Sequence, residues 1–166
     1  MSTTQLIIDT QQQKLIFLQD GVILKTYLVS TALKGLGEQK NSFQTPRGWH
    51  TIRAKIGANQ PIYRVFKGRR PMGQIYDLSL TQQYPNTDWI LSRIIWLSGL
   101  ELGKNRLGNC DTMQRYIYIH GTSDEVEIGK PNSMGCIRMN NQDILELFDW
   151  VSVGQRVFIT YAEKTK

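Results

Sequence analysis

Short apolar runs separated by polar turns recur through this sequence and restrict it to a mainly β fold. The first three runs cover residues 6–9, 14–18 and 22–29. Asp20-Gly21 separates the second run from the third, and Asp-Gly favours a tight hairpin because a type I′ turn needs positive φ at both central positions. The N-terminus is therefore expected to be an antiparallel meander. Further strands are predicted over residues 49–54, 88–97, 115–119 and 155–161.

The segment 56–84 shows no such pattern. Glycine and proline interrupt it, and basic residues cluster between positions 64 and 70. A long irregular segment in a compact domain is usually a functional loop. We therefore expect a lid or binding loop here, with a solvated basic loop as the alternative. Residues 98–108 carry three glycines and are expected to form a second loop.

One helix is predicted, beginning near Asn141. Asparagine is a good N-cap residue, and acidic side chains fall in the first turns, where the helix dipole favours them. The helix carries one apolar stripe at helical spacing: Ile144, Leu145, Leu147, Phe148 and Val151. Gly154 should end it. The 166 residues suffice for a single domain, which we predict over 1–162, followed by a flexible tail at 163–166.

The net charge of +6 and the pI near 9.4 indicate an anionic partner. Nucleic acid, an acidic membrane surface and a substrate that bears carboxylates are the candidates. Tyr63 and Phe66 are interleaved with basic residues, as on nucleic-acid surfaces, but no RNP, KH or helix-turn-helix signature accompanies them. Neither nucleic acid nor a membrane is expected as a partner, and the oligomeric state is left open.

The beginning of the sequence bears on location. No basic region precedes a long apolar stretch, and no run approaches the roughly 18 residues that a membrane span needs. We therefore expect a cytoplasmic protein, or a periplasmic one if a leader has been removed from the sequence.

The two cysteines allow one disulfide, Cys110–Cys136, which is uncommon in a cytoplasmic protein. A zinc site built from both cysteines and the two histidines, His50 and His120, is also conceivable. Neither a CxxC nor an HxxxH spacing supports it. No metal and no cofactor are therefore expected.

The richest chemistry lies where an apolar run, 116–119, ends at His120 and a small-residue turn leads into Cys136. A thiol and an imidazole at the ends of adjacent elements are the minimum for a nucleophile and its base. Free cysteine has a pKa of about 8.5, so a neighbouring imidazolium would supply a thiolate–imidazolium pair. A cysteine packed in the core and a histidine in a structural role are the alternatives.

Two glycines support that chemistry. Gly135 permits a tight turn that leaves its own amide and that of Cys136 free to face a developing oxyanion. A histidine base also needs an acceptor on its second nitrogen, and a backbone carbonyl near Gly121 is the candidate.

These residues resemble the signature of the L,D-transpeptidase catalytic domain, the YkuD family. That signature is His-Gly-Thr, about twelve residues, and then Ser/Thr-His-Gly-Cys-Ile/Val-Arg-Leu/Met-x-Asn-x-Asp. Here twelve residues separate His120 from Ser133-Met-Gly-Cys-Ile-Arg-Met139, and Asn141 and Asp143 follow. Thr45-Pro-Arg-Gly48 resembles the Thr-Pro-x-Gly turn of the family. The resemblance spans Leu6 to Ile159 and implies a mixed β-sandwich with a short helix after the cysteine.

The resemblance also implies roles for individual residues. Cys136 matches the nucleophile that forms a thioester with a peptidoglycan stem peptide, and His120 matches the base and acid. The catalytic set that we predict is Cys136, His120, Gly121 (whose carbonyl orients the histidine), Ser133 (the motif hydroxyl) and Gly135.

A second set is expected to contact the substrate: Arg138, Tyr118, Met134, Arg64 and Asn141. Arg138 matches the motif arginine, which either binds a substrate carboxylate or braces the cysteine loop. Met134 stands where the family usually has histidine. Because methionine cannot relay protons, we expect it to alter the pocket while the dyad remains.

The implied reaction is attack on the bond between the L-centre of diaminopimelate and a terminal D-Ala. If water resolves the thioester, the enzyme is an L,D-carboxypeptidase that trims recycled muropeptides in the cytoplasm, which is our leading hypothesis. If an amine resolves it, the enzyme is a transpeptidase that cross-links peptidoglycan. The non-enzymatic alternative is a basic β-domain that binds an acidic polymer, with Cys136 in its core.

Thiol reactivity separates the enzyme from the binding domain. Iodoacetamide should label Cys136 in preference to Cys110, and His120→Ala should slow that labelling at neutral pH. Mass spectrometry of the labelled peptides measures both rates. Equal, sluggish labelling of the two thiols, unchanged by His120→Ala, would exclude the dyad.

Overall fold

The structure is a computed structural model that describes residues 2–160, and within them it is mainly β. The strands are β1 (Thr4–Asp9), β2 (Lys14–Gln19), β3 (Val22–Ser30), β4 (Gly48–Ile56), β5 (Arg64–Lys67), β6 (Arg70–Ile75), β7 (Ile90–Gly99), β8 (Tyr118–Gly121), β9 (Ile137–Met139) and β10 (Arg156–Thr160). The helices are α1 (Leu78–Gln83) and α2 (Asn141–Trp150), with a 3₁₀ turn at Gly108–Cys110. The expected mainly β fold, with a short helix after Cys136, is confirmed. The predicted tail at 163–166 lies outside the described residues.

The strands form one sheet that closes on itself. Eight of them pair in the order β4-β10-β1-β2-β3-β9-β8-β7, and β4 also pairs with β7. The pairs β1–β10 and β8–β9 are parallel, whereas the other pairs are antiparallel. The hairpin β5–β6 joins the edge of β7 next to β4. The closed sheet surrounds one core, and the hairpin extends from it.

Alternation along the strands builds this core. Leu6 and Ile8 on β1, and Leu15 on β2, are fully buried, because alternate residues of a strand face the same side. The predicted stripe of α2 lies on the same core, with Ile144, Leu147, Phe148 and Val151 buried. Burying one such side chain contributes about 1.5–3 kcal/mol. None of the helices described here is long and apolar enough to cross a membrane.

Three predicted boundaries are wrong by small amounts. Helix α2 ends at Trp150, with Val151 as its C-cap, and not at Gly154. Helix α2 is capped by Asn140, whose Oδ1 accepts from the Gln142 amide at 3.0 Å, and not by Asn141. The strand expected from 115 begins only at Tyr118, because Tyr116 has a φ of 55° and leaves the extended conformation. His120 therefore lies inside β8 and not after it.

The sequence suggested that the segment 56–84 is irregular, but the structure contains regular elements there. It contains the hairpin β5–β6 and the helix α1. Strand β6 is exposed along its whole length, so it carries no alternation of apolar and polar residues that could have revealed it. Pro71 is tolerated there because β6 lies at the edge of the sheet.

His50 lies where the sheet closes, since β4 pairs with β10 at Val157 and with β7 at Gly99. Its ring is fully buried, with Nδ1 3.0 Å from the Gly48 carbonyl and Nε2 2.9 Å from Thr112 Oγ1. Burial lowers the pKa of His50 to about 4. The imidazole is therefore neutral at pH 7, and its two hydrogen bonds lie where the sheet closes.

This burial predicts a pH dependence of stability. Between pH 6.5 and pH 4 the unfolded chain binds a proton at His50 that the folded chain does not, so stability falls as the pH drops. The loss in the free energy of unfolding should be about 3 kcal/mol. Urea unfolding at pH 7 and pH 4 measures it.

The matched comparison uses two variants. His50→Gln, which does not titrate in this range, should lose less stability over the interval than the unmodified protein, whereas His120→Gln should retain the contribution of His50. If His50→Gln and the unmodified protein lose stability equally, the assignment to His50 is wrong.

Candidate active site

The parallel pair β8–β9 brings the two ends of the sequence motif together. His120 lies opposite Arg138, and Ile119 lies opposite Ile137. Cys136 immediately precedes β9, and the Tyr118 amide donates to its Sγ at 3.4 Å. Tyr118 and His120 are alternate residues of β8, so their side chains lie on the same face. The predicted placement of the thiol and the imidazole on adjacent elements is therefore what the structure has.

The turn before Cys136 is braced from a distant part of the chain. Gly135 has a φ of +129°, which disfavours any residue with a Cβ. Thr45 Oγ1 donates to the Gly135 carbonyl at 2.9 Å and accepts from the Ala32 amide at 3.0 Å. A hydroxyl at position 45 thus links the Thr-Pro-Arg-Gly turn directly to the cysteine.

Ser133 completes this brace. Its Oγ donates to the Cys136 carbonyl at 2.6 Å and accepts from the Gly135 amide at 3.2 Å. The Gly135 amide therefore already has a hydrogen-bond partner. The sequence had suggested that this amide would be free to face an oxyanion. Ser133 is 3% exposed, so the structure gives it a positioning role.

The His120 ring has one nitrogen bonded and one without a partner. Nδ1 lies 2.6 Å from the Gly121 carbonyl, so it carries the proton and donates. Nε2 is buried and has no hydrogen-bond partner among the described residues. The sequence had predicted a carbonyl near Gly121 for this purpose, and the structure has it. Nε2, with its free lone pair, is therefore the ring atom that can accept a proton.

Gly121 is required where it lies because its neighbours are close. A Cβ on this residue would be 2.5 Å from Asn141 Oδ1 and 2.6 Å from the Leu91 carbonyl. Asn141 is 1% exposed, accepts from Ser92 Oγ at 2.6 Å and donates to the Thr122 carbonyl at 2.7 Å. It is therefore a brace behind β8, and its predicted contact with substrate is wrong, since almost none of it is accessible.

Burial sets the protonation states of the two reactive groups. Desolvation raises the pKa of the Cys136 thiol to about 12, against the opposing effects of the Tyr118 amide and Arg138. Burial lowers the pKa of His120, against the opposing effects of Asp88 and the Gly121 carbonyl. Both groups are neutral at pH 7, so the resting site is a thiol beside an imidazole. These shifts oppose the thiolate–imidazolium pair that the sequence suggested.

The Cys136 thiol is bound to a backbone carbonyl. Cys136 Sγ donates to the Tyr116 carbonyl at 3.4 Å. Within residues 2–160, no hydrogen bond joins it to His120. Contacts of this kind are often long before substrate binds. The same two charges, Asp88 and Arg138, shift the pKa of both groups.

Cys136 lies in the wall of a cavity of about 450 Å³. Of the predicted substrate contacts, Tyr118 and Met134 line this cavity. Arg64 does not line it, because its guanidinium is bound to Gln60 Oε1 at 3.0 Å and to the Met72 carbonyl at 3.1 Å. The cavity wall is completed by Phe43, Phe66, Gly68, Arg69, Asp88, Ile90, Ile94, Arg115, Tyr116 and Ile117.

Arg138 braces the site, which was one of the two roles considered for it. Its Nη2 donates to Asp88 Oδ1 at 2.7 Å, and its Nη1 donates to the Asn132 carbonyl at 2.9 Å. The arginine side chain is 11% exposed, whereas that of Asp88 is 29% exposed. Asp88 is thus the member of the pair that reaches the cavity.

Two charged residues of this cavity, Asp88 and Arg115, were not predicted from the sequence. Neither belongs to the motif, and each lies more than twenty positions from Cys136. Arg69 belongs to the basic cluster at 64–70, which the sequence suggested as suited to a substrate with several carboxylates. Asp88 and Arg115 carry no local signal, because they lie in the loops that precede β7 and β8.

The two cysteines are free thiols, and Cys110 is buried. Its Sγ donates to the Leu107 carbonyl at 3.2 Å. Among the described residues, no group of three or more histidine, cysteine or acidic side chains is placed to hold a metal ion.

Comparison with known families places the chain. Residues 3–159 match the family model of the L,D-transpeptidase catalytic domain, YkuD, which is nearly the whole sequence. The chain therefore belongs to the L,D-transpeptidase catalytic domain family. The resemblance noted from the motif is confirmed.

Curated relatives match over a shorter stretch. The putative L,D-transpeptidase YkuD of Bacillus licheniformis is 57% identical over 42 residues, which is 25% of this chain and 26% of that relative. The putative L,D-transpeptidase YqjB of Bacillus subtilis is 52% identical over 42 residues, or 25% of this chain and 24% of that relative. The matched stretch thus spans about a quarter of these relatives.

Solved structures agree in fold. An L,D-transpeptidase from Mycobacterium smegmatis superposes with a TM-score of 0.58 at 21% identity, covering 96% of this chain and 59% of that one. L,D-transpeptidase 3 from Mycobacterium tuberculosis has a TM-score of 0.59 at 14% identity, covering 96% and 62%. The closed sheet described above is thus the fold of this family.

The neutral resting pair predicts the pH profile of alkylation. Because the pKa of Cys136 is raised to about 12, its labelling by iodoacetamide should keep increasing with pH beyond 9. Labelling rates from pH 6 to pH 10, read by mass spectrometry, measure this. A plateau that begins below pH 8 would show a preformed ion pair and contradict the neutral resting state. Cys136→Ala is the control for labelling at other sites.

Proposed function

We propose that this protein is a cysteine-dependent enzyme that cleaves the diaminopimelate–D-Ala bond of peptidoglycan stem peptides through a thioester. The observation that carries the proposal is the arrangement of His120. Its Nδ1 is committed to the Gly121 carbonyl at 2.6 Å, which leaves the buried Nε2 as a base. The Tyr118 amide of the same strand donates to Cys136 Sγ. Membership of the L,D-transpeptidase family supports the same chemistry.

The residues divide the reaction into two steps. In the first, Cys136 Sγ attacks the carbonyl carbon at the L-centre of diaminopimelate while its proton moves to His120 Nε2. The tetrahedral intermediate collapses, the C–N bond breaks, and the imidazolium returns that proton to the amine of D-Ala. The product is a thioester on Cys136 and free D-Ala, with a neutral imidazole ready for the second step.

In the second step an acceptor attacks the thioester, and we propose that the acceptor is water. Departure of D-Ala leaves the space beside His120 Nε2 open, and water can enter it and give its proton to this nitrogen. An amine could occupy the same space, so the products distinguish the two acceptors. The carboxylate is released as the thiol is re-formed, which makes the enzyme an L,D-carboxypeptidase.

The substrates that we propose are tetrapeptide muropeptides recovered from the cell wall, met in the cytoplasm. The net charge of +6 suits such substrates, because they carry several carboxylates. Cell fractionation with an antibody against the chain tests the location.

The non-enzymatic alternative is less well supported. A structural cysteine of a binding domain would be packed away in the core, as Cys110 is. Cys136 is instead half-buried and lines the cavity that also contains Asp88 and Tyr118. That position suits a nucleophile.

Product analysis tests the proposal. Incubation with a soluble disaccharide tetrapeptide should release one D-Ala per molecule and yield the tripeptide, with Cys136→Ala inactive. His120→Ala should lower the rate at pH 7 by at least about a hundredfold, as expected for loss of a general base. Mass spectrometry detects both products. Abundant cross-linked dimers would show that the acceptor is an amine and not water. Absence of turnover would contradict the proposed enzymatic function.

A further inference from the structure

The cavity beside Cys136 carries charges of opposite sign. Arg69, Arg115 and Asp88 all line it. Arg115 is committed to the protein, because its guanidinium donates to the Gly37 and Gln44 carbonyls and to Ser42 Oγ. Arg69 and Asp88 are therefore the charges available to a ligand.

Arg69 is held in place and keeps unused donors. It lies in the turn between β5 and β6, where its guanidinium is 5.1 Å from the Trp96 ring centre and 4.6 Å from that of Tyr116. Nη1 donates to Tyr118 Oη at 3.1 Å. That is the one hydrogen bond of this guanidinium within residues 2–160, whereas an arginine has five N–H donors. A fixed guanidinium of this kind suits a carboxylate, which it can bind through two parallel hydrogen bonds.

Asp88 presents the opposite charge to the same cavity. Its Oδ1 is held by Arg138 at 2.7 Å, and its side chain is 29% exposed. The carboxylate is thus fixed in orientation but open to the cavity. A primary ammonium is the natural partner, since it offers three donors to such a group.

The cavity wall also contains the apolar side chains of Phe66, Ile90 and Ile94. A ligand that fits this lining has methylene groups and, at their end, an ammonium and a carboxylate. An α-amino acid group at the end of an alkyl chain has this chemistry. Burial of its methylenes would contribute about 0.8 kcal/mol each.

We infer that Arg69 and Asp88 bind the free amino-acid end of the diaminopimelate side chain, with Arg69 on its carboxylate and Asp88 on its ammonium. This assignment rests on the proposed function, because it places that side chain beside the bond that Cys136 attacks. It makes both residues determinants of substrate specificity. The pair selects against stem peptides in which either end group has been masked.

Binding measurements test this without turnover. The protein is used as Cys136→Ala, and three synthetic tetrapeptides are compared by calorimetry: one with the free end, one with the end carboxylate amidated, and one with the end ammonium acetylated. The free-end peptide should bind at least about tenfold more tightly than either masked peptide, because each masking removes a charge-assisted hydrogen bond.

Variants assign each preference to its residue. Adding Arg69→Gln should abolish discrimination against the amidated peptide and leave discrimination against the acetylated one. Adding Asp88→Asn should do the reverse, and Arg69→Lys should retain part of the preference. Arg70→Gln is the matched control, because Arg70 is the exposed neighbour and does not line the cavity. Circular dichroism confirms that each variant is folded.

The outcomes separate this inference from the proposed function. Equal affinity for the three peptides, or equal loss for all three in Arg69→Gln, would overturn the assignment even if the unmodified protein releases D-Ala. Discrimination without release of D-Ala would uphold the assignment and contradict the enzyme. A free D-amino acid is the alternative ligand. In that case D-Ala should bind Cys136→Ala and lose about tenfold in affinity when Arg69→Gln is added. The three peptides would then bind equally, and the assignment would be wrong.

Discussion

The parallel pairing of β8 with β9 is the constraint on which the site depends. A parallel pair cannot be made by a tight turn, so the chain must leave β8, cross over and return beside it. The crossing segment is where Ser133, Gly135 and Cys136 lie, and the pairing brings them next to the strand that carries His120. Both strands are short, and their core side chains, Ile119 and Ile137, are fully buried. Loss of that burial would separate β9, and with it Cys136, from the strand that carries His120.

A second set of contacts converts this proximity into geometry. Thr45, which is 90 positions away in the chain, holds the Gly135 carbonyl, and Ser133 holds the backbone of Cys136. Such hydrogen bonds contribute only about 1 kcal/mol each to stability. Their larger effect is on position, because they hold a glycine at positive φ directly before Cys136. Burial raises the pKa of the thiol and lowers that of the imidazole, and the thiol donates to the Tyr116 carbonyl.

The sequence predicted most of the fold and the centre of the site for identifiable reasons. Strands β1, β2 and β10 bury one face and so show alternation, whereas β7 is buried along most of its length and appears as a continuous apolar run. The apolar stripe of α2 has helical spacing. The thiol, the base and the orienting carbonyl are close to one another in the motif. Strand β6 was not predicted because it buries nothing, and Asp88 was not predicted because no spacing links it to Cys136. The bracing by Asn141 was mistaken for a substrate contact, since sequence does not show which way an asparagine faces.

The attachment of the hairpin β5–β6 has a consequence for how this fold can diversify. Strand β5 of the hairpin pairs with β7 at two positions, Val65 with Leu91 and Phe66 with Ile90. Strand β4 pairs with the rest of the same edge of β7. The hairpin supplies Phe66 and Arg69 to the cavity, and Phe66 also belongs to the apolar cluster against which Cys136 packs. Arg69 contacts Tyr118, whose amide donates to the Cys136 thiol. The cavity lining and the surroundings of the thiol thus share the same residues. Diversification of the hairpin would therefore change both at once.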